Sequence, residues 1–325
     1  MPRLLSRFGV GLVTLAWSAV ASADPVTGTL FYTTFAGGQN IWKVTGTFDG
    51  TSFTLGPSTN IASTPGADGI VFAPDGELLI GGQGNAVHKV NPTTGTFVTR
   101  TAGGASAFHL AVDPSGTKVW ATGIPGEIGE VPLSPSFVNG TLRNVTGQDG
   151  AITSLAFVPG KGWYYTSSGS GGFGNVGTID MTTFVTTQLL SGVPAAHGMV
   201  IDPFTGDLAL FGDGQISQFD PDTNAIISTR AFAGVNFDQG AVDGAGHAFV
   251  ASNTGDLLFV DYAATGLLGA MSNFTSLQFL KASLDDVAPL VGPGAPPPTV
   301  PEPGTLALLG LGLLTLLAMP RRRAS

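Results

Sequence analysis

An apolar stretch that runs into a turn recurs along this chain. The copies are Asp68-Gly-Ile-Val-Phe-Ala-Pro74, His109-Leu-Ala-Val-Asp-Pro114, Ser154-Leu-Ala-Phe-Val-Pro159 and His197-Gly-Met-Val-Ile-Asp-Pro203. Gln239-Gly-Ala-Val-Asp243 is a fifth, with Gly244 in the proline place. The turn positions 74, 114, 159, 203 and 244 stand 40, 45, 44 and 41 residues apart. A repeat of about 40–45 residues is the length of a four-stranded propeller blade. Such a unit cannot bury its apolar faces alone, so its copies must stack on one another.

The rest of each copy follows the same order. A second strand comes after the turn: Leu78–Ile80, Lys118–Trp120, Trp163–Tyr165, Leu208–Phe211 and His247–Val250. A Gly-rich loop and a third strand follow: His88–Val90, Ile128–Val131, Val176–Ile179, Ile216–Phe219 and Leu257–Val260. Polar turns such as Asn91-Pro-Thr-Thr-Gly95 then lead to an outer strand; strand runs bounded by Gly, Pro, Asn and Asp are hairpin signals. Leu30–Thr34 and Asn40–Val44 read as second and third strands with no first strand before them, and Leu284–Leu290 as a first strand with nothing after it. Joined, the two ends make one more blade and leave no long edge exposed. The expected fold is all-β, a six-bladed β-propeller. It broadly resembles bacterial propeller repeats of the NHL and YVTN type, a likeness of fold that carries no function.

Composition agrees once the repeat is seen. The 325 residues include 48 Gly and 22 Pro, and only 11% are charged, against roughly a quarter in ordinary soluble domains. Helical bundles, coiled coils and charged disorder are excluded. Cysteine is absent, which rules out disulfides, a thiolate nucleophile and Cys-ligated metal.

The two termini read as addresses. Arg3 and Arg7 precede an apolar run from Phe8 to Val20, and Ala21-Ser22-Ala23 closes it. This is the pattern of a secretory signal peptide over 1–23, with Ala21 and Ala23 at the cleavage site. Arg3 and Arg7 are not adjacent, so the Sec machinery is expected rather than a twin-arginine route. A propeller domain over 24–291 follows, then a Pro-rich linker over 292–300 that should be extended and semi-rigid. The last segment, 301–325, holds Pro301-Glu302-Pro303, an apolar run from Thr305 to Met319 and the cluster Arg321-Arg322-Arg323. As a helix the run spans about 22 Å, short against a hydrocarbon core of about 30 Å. A short C-terminal transmembrane helix is expected, with its arginines on the cytoplasmic side.

Those three parts, in that order and spacing, resemble the PEP-CTERM sorting signal of Gram-negative bacteria. The resemblance implies processing near Pro301, Glu302 and Pro303 by an exosortase-like enzyme. It also implies transient anchoring in the inner membrane, delivery to the cell surface or extracellular matrix, and association with exopolysaccharide. Residues 24–300 keep eight Lys and Arg against 21 Asp and Glu, a formal charge of −13, compared with −9 for the whole chain. So acidic a domain repels nucleic acid.

In a propeller the starts of the inner strands share one face with the loops between second and third strands. Aligning the copies sets Asp68, Phe108, Thr153, His197, Asp238 and Asp285 in a ring at the channel mouth, beside His109, Ser154, Gln239 and Asp286. The carboxylates and imidazoles among them are candidate ligands for a divalent cation, the histidines favouring transition metals; hydration of the channel is the plainer role. Gly169-Ser-Gly-Gly-Phe-Gly174 fits G-x-G-x-x-G but lies between strands, where no helix can seat a pyrophosphate. Asp220-Pro-Asp-Thr-Asn224 opens like a calcium loop but lacks its Gly and Glu, with Ala225 and Ala231 in their places, and reads as a blade turn. Phe31, Tyr32, Trp42, Trp120, Trp163, Tyr164 and Tyr165 fall mostly on strands, as core or as sugar-stacking platforms. Asn139, Asn144 and Asn273 head sequons expected at surface turns.

The expectation is a non-enzymatic surface or matrix protein that binds a glycan or protein partner through the channel face. The alternative is a secreted propeller hydrolase, lactonase or lyase with a metal held by some of Asp68, His109, His197, Asp238 and Asp285.

Overall fold

The computed structural model describes residues 25–289 apart from 124–125, 148–150 and 169–172. Among them every regular element is a strand. The chain enters with β1 (Val26–Thr34), β2 (Ile41–Phe48), β3 (Phe53–Leu55) and β4 (Thr59–Ala62), which belong to blade one. Blade two runs through β5 (Ile70–Phe72), β6 (Leu78–Gly81), β7 (Ala86–Val90) and β8 (Phe97–Thr101). Blade three holds β9 (His109–Val112), β10 (Lys118–Gly123), β11 (Glu127–Pro132) and β12 (Thr141–Asn144), and blade four holds β13 (Ala151–Val158), β14 (Gly162–Ser168), β15 (Phe173–Asp180) and β16 (Val185–Pro194). Blade five is β17 (Gly198–Ile201), β18 (Leu208–Gly212), β19 (Gln215–Asp220) and β20 (Ala225–Ala231). Blade six is β21 (Phe237–Val242), β22 (His247–Ser252), β23 (Asp256–Asp261) and β24 (Phe274–Phe279).

The last strand, β25 (Leu284–Pro289), returns to blade one and pairs antiparallel with β1, Leu30 facing Pro289 and Tyr32 facing Val287. The first and last described strands therefore share one sheet, and the ring of six blades closes. The outer strand of blade one is split: β3 pairs the end of β2 and β4 its start. Gly56-Pro57 falls at the break, and proline cannot donate to a ladder.

Stacking explains the core. Six apolar clusters lie one at each blade interface. Phe48 and Phe53 of blade one meet Phe249 and Phe259 of blade six, for example, and Trp120 of blade three meets Trp163 and Tyr165 of blade four. The most continuously buried strands are second strands such as β18 and β22, whereas inner strands such as β9 and β17 are only part-buried at their far ends. An inner strand borders the channel, so its far end meets water. All seven strand aromatics named above are buried, which makes them packing groups and removes them as sugar platforms.

The repeated turns are side-chain capped. Asp113, Asp202 and Asp243 each accept a backbone N–H two residues on, between first and second strands. Asn91, Asp180 and Asp220 do the same after the third strand. This gives the Asx turn that Asn and Asp favour. Asp220-Pro-Asp-Thr-Asn224 is therefore a blade turn, further held by Lys161 on Asp222. Asn139 and Asn144 are exposed, but Asn273 is buried with its amide on the Leu267 and Leu268 carbonyls, so it is no surface sequon. Among the described residues no helix is long and apolar enough to cross a membrane. The signal segment with Ala21 and Ala23, the linker, the run over 305–319 and the motif residues Pro301, Glu302, Pro303, Arg321, Arg322 and Arg323 lie outside the described residues.

Candidate functional site in the central channel

The channel gathers side chains that are far apart in sequence. His109 opens β9, His197 precedes β17, Asp238 lies in β21, Asp285 and Asp286 lie in β25, and Asp68 precedes β5. Their ligand atoms form three overlapping triads, each within 4.8 Å: His109 with His197 and Asp238; Asp68 with His109 and Asp286; Asp238 with Asp285 and Asp286. Five of the six blades supply these side chains. Blade four supplies a carbonyl, that of Thr153, to His109 Nδ1.

The contacts centre on Asp238. Its Oδ1 lies 3.2 Å from His109 Nε2 and 2.8 Å from His197 Nε2. Its Oδ2 accepts Asn253 Nδ2 at 3.0 Å. Asp286 is less well served: His109 Nε2 is 3.9 Å from its Oδ1, and neither carboxylate oxygen has a hydrogen-bond partner. Asp285 Oδ2 is also unpartnered. Thr153 and Ser154 are tied up in blade contacts, the hydroxyls reaching Thr166 Oγ1 and the Met199 carbonyl. Gln239 Nε2 reaches Ser154 Oγ. The other histidines sit elsewhere, His88 beside Thr99 and His247 on Asp243.

Burial and charge set the protonation of this cluster. Burial alone lowers His109, but Asp286, Asp238 and Asp68 outweigh it and push it up to about 10. Burial raises Asp68 to about 7, with His109 opposing and Asp238 adding to the rise. Burial and the charges of Asp68, Asp286 and Asp238 push Asp285 up to about 12. Asp286 is driven well above the usual carboxylate range by burial, against the pull of His109. Asp238 also feels burial, yet the hydrogen bonds from His109 and His197 hold it well below that range. Asp238 is the carboxylate most strongly held in its anionic form.

The scaffold beneath is regular in a way the strand pattern does not reveal. Thr33, Thr122 and Thr166, near the ends of second strands, each donate to a carbonyl of the next blade's inner segment: Asp68 at 2.6 Å, Thr153 at 3.0 Å and His197 at 2.8 Å. Gly198 lets blades five and six close up, since a Cβ there would overlap the Asp238 carbonyl and the Gln239 side chain. Above the cluster a cavity of about 190 Å³ opens between blades four, five and six. His197 and Asp238 line it together with Phe173, Asp213, Asn236 and Asn253. Of Gly169-Ser-Gly-Gly-Phe-Gly174, the described end opens strand β15, not a helix.

Comparison with known proteins bears on the fold and the C-terminus. A chain in the crystal structure of a mitotic checkpoint complex superposes at a TM-score of 0.50 and 13% identity, over 85% of this chain and 91% of that one. At that identity the likeness shows fold alone. No curated protein matches the chain. Residues 299–323 match the PEP-CTERM protein-sorting motif, a motif that implies export and exosortase processing in a Gram-negative bacterium. The chain is thus a six-bladed β-propeller followed by a PEP-CTERM sorting motif.

Proposed function

We propose that this chain is a cell-surface or extracellular-matrix binding protein that engages a glycan or protein partner through the channel face. In this reading the signal peptide uses the Sec machinery, and the helix over 305–319 holds the chain in the inner membrane until an exosortase-like enzyme acts near Pro301-Glu302-Pro303. The propeller then resides with exopolysaccharide. The supporting observation is the cavity of about 190 Å³ on the loop face, with Phe173 half-exposed at its edge. Paired Phe173→Ala and Asp213→Ala substitutions in the native host test it. Wild type should fractionate with the matrix and the variant should pass into the medium; equal matrix retention would contradict the reading. Replacing Pro301-Glu302-Pro303 by alanines should leave an unprocessed, heavier chain, and an unchanged mass and location would contradict the processing step.

A second reading is favoured by His109 converging with His197 and Asp238, the last two of which line the cavity: a secreted hydrolase, lactonase or lyase. Its check is turnover of simple esters and lactones that Asp238→Asn abolishes; no turnover by wild type would remove it.

A further inference from the structure

The tautomer of His109 is set by its surroundings. Its Nδ1 faces the Thr153 carbonyl, which only accepts, so Nδ1 carries a proton. A ring locked this way turns the lone pair of Nε2 toward the channel, the arrangement that outer-shell carbonyls impose on metal-ligating histidines. That nitrogen faces Asp238 Oδ1 at 3.2 Å and Asp286 Oδ1 at 3.9 Å. A lone pair aimed at the Asp238 carboxylate needs a positive centre between them, either a second ring proton or a metal ion.

A second ring proton serves Asp238 but leaves the neighbouring oxygens of Asp285 and Asp286 without partners. Asp286 is 0% exposed and both its oxygens are unpartnered, as is Asp285 Oδ2. Buried polar groups without partners are rare and costly. A divalent cation partners several of them at once.

The spacing fits a small ion. Ligand atoms around tetrahedral zinc stand about 3.3 Å apart, for bonds of about 2.0–2.1 Å. His109 Nε2 and His197 Nε2 stand 3.2 and 2.8 Å from the same Asp238 oxygen. Two imidazoles favour the zinc class over calcium, which takes six to eight oxygens. His197 is half-exposed toward the cavity, which leaves an approach from solvent.

We propose that His109, His197 and Asp238 hold a divalent transition-metal ion of the zinc class in the channel, with Asp286, Asp68 and Asp285 completing its negative surroundings. The ion forms the floor of the cavity. This assignment stands apart from the surface-binding reading, because metal content is read on the protein without any partner.

The test uses the untagged full chain in detergent, stripped with a chelator and titrated with zinc chloride alone. A single equivalent should bind and raise the thermal unfolding midpoint, while calcium chloride in excess leaves it unchanged. His197→Ala, which removes a ligand itself, should weaken zinc binding by about 100-fold or more, at or beyond the top of the range for losing an outer-shell partner; its half-exposed side chain makes this the variant that keeps the fold. Asp286→Asn, of equal size, should weaken zinc binding by about 10-fold or more, the range for a group beside the ligands, with the β-sheet circular dichroism retained. The proposal is overturned if stripped wild type takes up no zinc and shows no midpoint shift. It is equally overturned if His197→Ala binds zinc as wild type does.

Discussion

His109 Nε2 lies 3.2 Å from Asp238 Oδ1, a contact that spans the channel from blade three to blade six across 129 positions of sequence. In a ring of six these blades stand opposite each other, so one hydrogen bond crosses the axis. Removing one partner of a buried pair costs about 3–5 kcal/mol when the other is left uncompensated, but His197 and Asn253 still reach Asp238. His109→Ala in chelator-stripped protein should therefore lose about 1–3 kcal/mol in urea unfolding. A loss below about 1 kcal/mol, the range of an exposed pair, would mean the channel is wetter than its burial indicates.

Thr33 ties ring closure to the site. It lies where the pairing of β1 with β25 is irregular, donates to the Asp68 carbonyl at 2.6 Å and accepts the Asp286 N–H at 3.1 Å. Thr33→Val keeps the shape and removes both bonds, for an expected cost of about 1–3 kcal/mol. Amide exchange at Asp286 should quicken more than exchange in β22. Uniform exchange across all blades would contradict a local role.

Glu130 supplies a pH dependence away from the channel. Burial raises its carboxyl, but hydrogen bonds from Lys118 and Arg143 outweigh this and hold it below the usual glutamate value. Because the folded value is depressed, its stabilisation is present above the unfolded value of about 4.3 and is lost as pH falls through the folded one. Glu130→Gln should cost about 0.5–1 kcal/mol at neutral pH and low salt, given the partly exposed partners. That deficit should vanish near pH 2–3. A deficit equal at both pH values would show that packing, not charge, is at work.

The blades were legible because the turns are held locally: Asp113, Asp202 and Asp243 cap their own backbones in three repeats, and a proline or glycine follows at the same place in all five. Ring closure followed from the unpaired strands at Leu30 and Leu284. The residues near the channel were legible too, since aligned repeats place them at equal depth. Their contacts were not. Nothing near His109 in sequence names Asp238 as its partner or the Thr153 carbonyl as its lock. The hydroxyls of Thr33, Thr122 and Thr166 were missed because a strand threonine reads as β-propensity; only the recurrence of Thr at the second-strand end could have found them. The split outer strand of blade one was also missed, although Pro57 marks it. The burial of all seven aromatics depends on neighbouring blades covering both faces, which alternation within one strand does not show.

The channel centre is tested most directly by crystals of zinc-loaded protein measured on either side of the zinc absorption edge. The account predicts a single anomalous peak among His109 Nε2, His197 Nε2 and Asp238 Oδ1, with Asp286 turned toward it. Zinc-loaded crystals with no peak there, or with peaks only at surface side chains, would contradict it.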